Sequence, residues 1–175
     1  MIIKYMGLKI NLGCGNKKID GYVGVDKTNT SAVDVIHDLN VFPYPFEENS
    51  VSEILLDNVL EHLDNPMKIL EELYRICLNN AKIKIYVPYF KSNGAFTDIT
   101  HKKFFSENSF NFLNKDHEYN FYTNINLKVT ERKLLSMRYN KNHVLRNLLP
   151  FKKFLNHFLF NIYDEIYFEL VCIKE

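Results

Sequence analysis

Apolar residues in this chain come mostly in short runs of β-branched and aromatic side chains, separated by polar turns, with one stretch of clear helical period. Ile10 and Leu12 close a first run, Tyr22-Val23-Gly24-Val25-Asp26 forms a second, Val33-Asp34-Val35-Ile36-His37 a third, and Ser52-Glu53-Ile54-Leu55-Leu56-Asp57 a fourth. Ile83 to Val87, stopped by Pro88, then Leu127 to Leu135 and Tyr167 to Ile173 extend the series. Each has the composition of a β-strand. Between the fourth and fifth runs, Asn65-Pro66 supplies a helix cap and a first helical residue. Met67, Ile69, Leu70, Leu73, Tyr74, Ile76 and Cys77 then keep one helical face until Asn79-Asn80 end it. Strands alternating with helical segments predict an α/β chain with a mostly parallel, doubly wound sheet.

The segment 139–164, between the last two runs, reads as a helical insertion. Pro150 can open a helix in which Phe151, Phe154, Leu155, Phe158, Leu159 and Ile162 recur at helical spacing. Such a stripe is expected to pack over the sheet. Phe160 and Tyr163 lie off it and Arg146, Lys152 and Lys153 flank it, so the Phe151–Tyr163 helix also fits a homodimer contact or a peripheral membrane contact.

The first turn carries the candidate chemistry. In Lys9-Ile10-Asn11-Leu12-Gly13-Cys14-Gly15-Asn16 two glycines follow a strand end, where the backbone can turn sharply and approach a ligand closely. Asp26, eleven residues after Gly15, ends the next strand with a carboxylate. A glycine turn and an acid on adjacent strand tips form a clamp for a nucleoside, the acid accepting from the ribose hydroxyls. A dinucleotide fingerprint is disfavoured, because Lys18 stands at the third glycine position and Asp26 comes too early. No phosphate-cradling G-x-x-x-x-G-K-[ST] run occurs.

Composition narrows the setting. At 175 residues, with 46% hydrophobic and 14% aromatic residues, the chain suits one domain, 1–175. A net charge of +1 gives no general attraction to nucleic acid. Cys14, Cys77 and Cys172 are too widely spaced for a disulfide framework or a structural zinc, which points to the cytoplasm. No secretory leader and no membrane-spanning run is evident.

Two further motifs stand in order behind the glycine turn. Tyr44-Pro45-Phe46-Glu47-Glu48-Asn49-Ser50-Val51 leads into the fourth strand, and Val59-Leu60-Glu61-His62-Leu63 follows it. With Leu12-Gly13-Cys14-Gly15 they cover roughly residues 8–90, and together they resemble the class I S-adenosylmethionine-dependent methyltransferases, in their small-molecule, type 11-like branch. The resemblance implies a seven-stranded Rossmann-like sheet whose last two strands are partly antiparallel, with S-adenosylmethionine as cofactor. It also implies site residues. Leu12, Gly13, Cys14 and Gly15 would wrap the methionine part, and Asp26 would take the ribose hydroxyls, its alternative being a strand-end turn. Lys27 would lie along the adenine edge or in solvent. Asp38 and the Leu39 amide would meet the adenine, Asp38 otherwise capping a turn, while Asp57 and Asn58 would face the methionine amine or the sulfonium. Only nine residues, Gly13 to Gly21, link the first two strands, so the first helix is expected to be a stub.

Methyl transfer is an in-line displacement that chiefly requires positioning, and a general base adds about 10²–10⁴-fold when the acceptor is a hydroxyl. His62 is one candidate base, its alternative being to brace the next helix. His101 is the other, in Asp98-Ile99-Thr100-His101, a segment similar to the D-P-T-H-x-x-x-F of a subgroup of these proteins. Asp98 is expected to orient the His101 ring, with Thr100 adding a polar contact that helps fix its tautomer. No metal ligands are assigned, although Glu61, His62 and Asp98 or His101 make a conceivable set. The expected reaction is O-methylation of a small-molecule or saccharide acceptor. The rival expectation is a non-catalytic cofactor-binding or interaction module on the same fold.

Overall fold

The computed structural model describes residues 3, 6–136, 146 and 148–174. Its strands are β1 (Leu8–Leu12), β2 (Val23–Asp26), β3 (Val35–Ile36), β4 (Val51–Asp57), β5 (Cys77–Pro88), β6 (Leu127–Leu135) and β7 (Glu165–Cys172). They form one sheet in the order β3-β2-β1-β4-β5-β7-β6. The first five strands pair in parallel, and β7 runs antiparallel to both β5 and β6. β2 and β4 flank β1 on opposite sides, so the strand order reverses at β1. Ligands of open α/β sheets sit at such a reversal, beyond the carboxyl ends of the strands. Residues 13–22 cross from β1 to β2 through turns alone, so the expected stub of a helix is reduced to turns.

Helix α1 (Pro66–Ile76) begins as its sequence requires, with the Asn65 side chain accepting from the Lys68 amide at 3.1 Å. It buries Ile69, Leu70, Leu73 and Ile76 against Ile10, Leu12, Ile54, Leu56, Ile83, Ile85 and Phe168. Cys77, placed on the helical face by periodicity, instead opens β5. The Ser50 amide captures the Ile76 carbonyl at 2.9 Å and Val51 pairs with Cys77, which draws the chain straight from helix into sheet.

Strand register sorts the side chains into two unlike faces. Ile10, Ile54, Ile83 and Leu170 share a row on one face, as do Leu12, Leu56, Ile85 and Phe168. The other face carries Lys9, Glu53, Lys82, Lys84 and Glu169. There Lys84 pairs with Glu53 at 2.9 Å and Lys82 with Glu169 at 3.1 Å, and the Lys82 side chain keeps half its exposure. Parallel strands are usually apolar on both faces beneath two helix layers. Here the apolar face takes α1, and the opposite face carries partly exposed ion pairs.

β2 crosses very close to the following loop at Gly24, where a Cβ would lie 2.2 Å from the Ala32 carbonyl oxygen and 3.0 Å from Cys14 Sγ. Since the nearest atom is backbone, Gly24→Ala is expected to destabilise by about 1–3 kcal/mol, the usual cost of overpacking. Denaturant unfolding measures it, and an unchanged midpoint would show that this contact relaxes freely.

The insertion departs from expectation. Residues 137–145 and 147 lie outside the described set, and the helix, α2, is confined to Lys152–Phe158. Its buried residue is Asn156, whose amide donates to the Tyr89 hydroxyl at 3.0 Å, while Lys91 Nζ donates to the Asn156 carbonyl at 2.5 Å. That anchoring turns Phe151, Phe154 and Phe158 outward, at 81%, 66% and 70% exposure, and only Ile162 of the stripe is buried. The apolar stripe is therefore solvent-facing rather than packed on the sheet. Phe154→Asp should then leave stability within about 0.5 kcal/mol of the parent, as exposed substitutions do. A sharp fall in thermal midpoint would return the ring to a core.

Cys14, Cys77 and Cys172 are buried and free. Among the described residues no helix is long and apolar enough to cross a membrane.

Candidate active site

The site is assembled by the strand ends at the reversal. The chain leaves β1 through Gly13 at φ 68°, and the amides of Gly13 and Cys14 both donate to the Val25 carbonyl, at 2.8 and 3.1 Å. A Cβ on Gly13 would lie 2.5 Å from Val59 Cγ2, so a side chain is excluded both by conformation and by space. The Gly15 amide donates to Asp26 Oδ2 and the Thr28 amide to Asp26 Oδ1, each at 2.9 Å. Two amides thus fix the carboxylate, which still has lone pairs for further donors. Its strand-end turn role and a ligand role are compatible.

A cleft of about 600 Å³ opens beside it, lined by Gly13, Asp26, Lys27, His37, Asp38, Leu39, Asn40, Asn58, Val59, His62, Leu63, Ile99, Thr100 and Lys102. Of the residues expected to hold a cofactor, Gly13, Asp26, Lys27, Asp38, Leu39 and Asn58 meet in this lining. Leu12 and Cys14 are buried behind it, and Gly15 reaches it through its bond to Asp26. Asp57 stands outside the lining, with its carboxylate turned to Lys17 Nζ at 2.7 Å. Asp38 Oδ1 accepts from the Asn40 amide at 2.9 Å, closing a turn that presents Leu39. Asn58, at φ 56°, donates its side-chain amide to Glu165 Oε1 at 3.0 Å.

On the β4 side of the cleft stands His62, with His101 beside it. Leu60–His62 forms one 3-10 turn after β4, and the Glu61 carbonyl accepts from the Lys102 and Lys103 amides at 2.8 and 3.2 Å, which pins the later loop to that turn. Phe105 is buried beneath the loop, whereas Phe104 stacks on Phe96 at the surface. The expected Asp98–His101 pairing is not what forms. Asp98 Oδ1 accepts from both the Thr100 amide (2.8 Å) and the Thr100 hydroxyl (2.7 Å), and Thr100 Oγ1 lies 2.9 Å from His62 Nδ1. Thr100 spends its proton on Asp98, so the His62 ring donates from Nδ1 and keeps the Nε2 lone pair. His101 Nδ1 lies 2.9 Å from the Ala95 carbonyl, which can only accept, so this ring is also protonated on Nδ1. The intervening Thr100 captures the Asp98 carboxylate, and Asp98 orients His62 rather than His101.

His62 lines the cleft, and the His101 ring stands beside it at a centroid distance of 4.8 Å. Burial and the neighbouring His101 hold the His62 pKa below its ordinary value, favouring the neutral ring. The Thr100 hydrogen bonds hold Asp98 below the usual carboxylate range. Glu61 is 1% exposed, and burial, aided by the charges of Glu165, Asp57 and Asp98, pushes its pKa up to about 7. Neither Glu61 oxygen has a hydrogen-bond partner among the described residues. Nothing in the sequence signals the Ala95 carbonyl, and the sequence assigns Thr100, together with Asp98, to the His101 ring rather than to His62.

Comparison with known proteins bears on the fold that carries this site. A methyltransferase domain family matches residues 19–85. No curated protein matches the sequence. Among solved structures, a SAM-dependent methyltransferase from Archaeoglobus fulgidus aligns with TM-score 0.59 and 18% identity over 95% of this chain and 86% of that one. A chain of the complex between the Haloferax volcanii Trm112 methyltransferase activator and a methyltransferase aligns with TM-score 0.62 and 12% identity, over 98% and 85%. The [4+2]-cyclase SpnF aligns with TM-score 0.60 and 9% identity, over 99% and 77%. The fold is the class I methyltransferase fold, and the resemblance drawn from the sequence holds. SpnF is known by a different activity, so the fold alone does not specify methyl transfer.

Proposed function

We propose that this chain, which has the class I methyltransferase fold and a methyltransferase domain over residues 19–85, transfers a methyl group from S-adenosylmethionine to an oxygen of a small-molecule or saccharide acceptor. One observation carries the reading: Asp26 and Asp38 at the strand reversal and His62 on the β4 side line one cleft. Asp26, steadied by the Gly15 and Thr28 amides, takes the ribose hydroxyls. Asp38 and Leu39 take the adenine, and Gly13, Asn58 and the turn backed by Leu12, Cys14 and Gly15 take the methionine end. Lys27 lies along the adenine edge, and Asp57 acts on the methionine end through Lys17.

His62 activates the acceptor hydroxyl. Asp98 and Thr100 fix its tautomer, and its lowered pKa keeps it neutral and able to accept a proton. His101 supports His62 from behind. The exposed Phe151, Phe154 and Phe158 suit a contact with a second copy or a membrane surface. A non-catalytic binding module is the second reading, favoured by the helix-free crossover between β1 and β2.

Calorimetry with S-adenosylhomocysteine, followed by transfer of an isotope-labelled methyl group to panels of glycosides and small alcohols, tests both readings. Binding with labelled product is expected. Binding without product from any acceptor supports the module, and no binding overturns both.

A further inference from the structure

Glu61, His62 and His101 each offer one ligand atom, and these atoms lie within 4.8 Å of one another. We propose that the three side chains form a binding site for a divalent first-row metal ion, with zinc the best match to the donor set.

Glu61 gives the first argument. Its carboxylate is buried beside the two rings, and neither oxygen has a hydrogen-bond partner among the described residues. A carboxylate in that position is costly unless a cation meets it. The surroundings add negative charge from Glu165, Asp57 and Asp98. Lys102, the cleft-lining cation of the adjoining loop, is drawn away to Asp64 at 2.6 Å.

The histidines give the second. Each ring is held from outside through Nδ1–H, His62 by Thr100 and His101 by the Ala95 carbonyl. Both therefore keep an Nε2 lone pair in a fixed orientation, which is how proteins set imidazole ligands on a metal. Asp98 completes the outer layer by accepting from Thr100. Two imidazoles and one carboxylate suit zinc and its neighbours, and three protein ligands leave a coordination position open. Bonds of about 2.1 Å place tetrahedral ligands about 3.4 Å apart, so binding must draw atoms now up to 4.8 Å apart together by as much as about 1.4 Å.

His62 also lines the cleft, which puts an ion at its wall. Binding of the ion does not depend on methyl transfer. Its use, polarising an acceptor hydroxyl in place of the proton acceptance assigned to the free His62 ring, rests on the methyl transfer proposed above.

The test is titration of the chelator-treated full chain with Co²⁺ and with Zn²⁺, read by calorimetry and by the visible absorption of Co²⁺. One ion per chain is expected. Glu61→Gln, nearly isosteric, and His101→Ala should each weaken binding by on the order of 100-fold or more, and Thr100→Val, which only releases the His62 ring, by roughly 10–100-fold. Circular dichroism identifies any variant that fails to fold, and the remaining ligand variant then carries the test. Absence of stoichiometric binding, or binding that survives every folded ligand variant, overturns the site and leaves His62 to act on its own lone pair. S-adenosylhomocysteine titrated into the same samples separates the two ideas. Metal bound without it overturns the methyltransferase reading alone, and its binding without metal overturns the metal site alone.

Discussion

Asp26→Ala is expected to weaken S-adenosylhomocysteine binding by at least two decades in a protein that remains folded. The carboxylate sits at the carboxyl end of β2 with each oxygen fixed by a backbone amide, so it pays little ordering entropy when a ribose arrives. Two hydroxyls bonded to a charged acceptor contribute about 1.5–3 kcal/mol each, and every 1.4 kcal/mol is a factor of ten. The same change strips the Gly15 and Thr28 amides of their acceptor, and both lie where water can replace it, so stability should fall by a smaller margin. Calorimetry gives the affinity and thermal unfolding the stability. A folded variant with near-parental affinity would remove Asp26 from the cofactor site.

The second large effect is expected at His62. With an acceptor in hand, His62→Ala should lower kcat by about 10²–10⁴, the range a lost proton acceptor commands. Affinity for S-adenosylhomocysteine should change far less, because Asp26 and Asp38 belong to the β2 and β3 strand ends. Thr100→Val should reproduce part of the loss by freeing the ring to adopt the wrong tautomer. If kcat is unchanged in His62→Ala, the acceptor is not activated from the β4 side.

Much of this arrangement is legible in the sequence because its determinants are local. The glycine turn and Asp26 are eleven residues apart on adjacent strands, and each is demanded by the backbone around it. Asn65-Pro66 marks the start of α1 without reference to anything distant. The failures have the opposite character. Cys77 suits the helical face and the strand equally, and the decision falls to the Ser50 amide, far back in the chain. The stripe in α2 has a true helical period, but which way it faces depends on Tyr89 and Lys91 gripping Asn156. Asp98 stands three positions before His101, close enough to imply a pair. The Thr100 between them turns that carboxylate toward His62, a partner from another turn.

The charged face of the sheet has a further consequence, for assembly. Lys9 lies opposite Glu53, Glu53 opposite Lys82, and Lys84 opposite Glu169, each one step from a fully buried isoleucine, leucine or phenylalanine. Side chains alternate faces along a strand, so sliding β4 or β5 by a single position would drive lysines and glutamates beneath α1 and push the core rows into water. Each ion carried inward would lose its hydration and its partner together. An all-apolar parallel strand tolerates such a slip, because either alignment buries hydrocarbon. In this chain the lysine and glutamate rows penalise any slip by an odd number of positions, so the order that brings Gly13, Asp26 and His62 to one edge is also an alignment that keeps the charged rows out of the core.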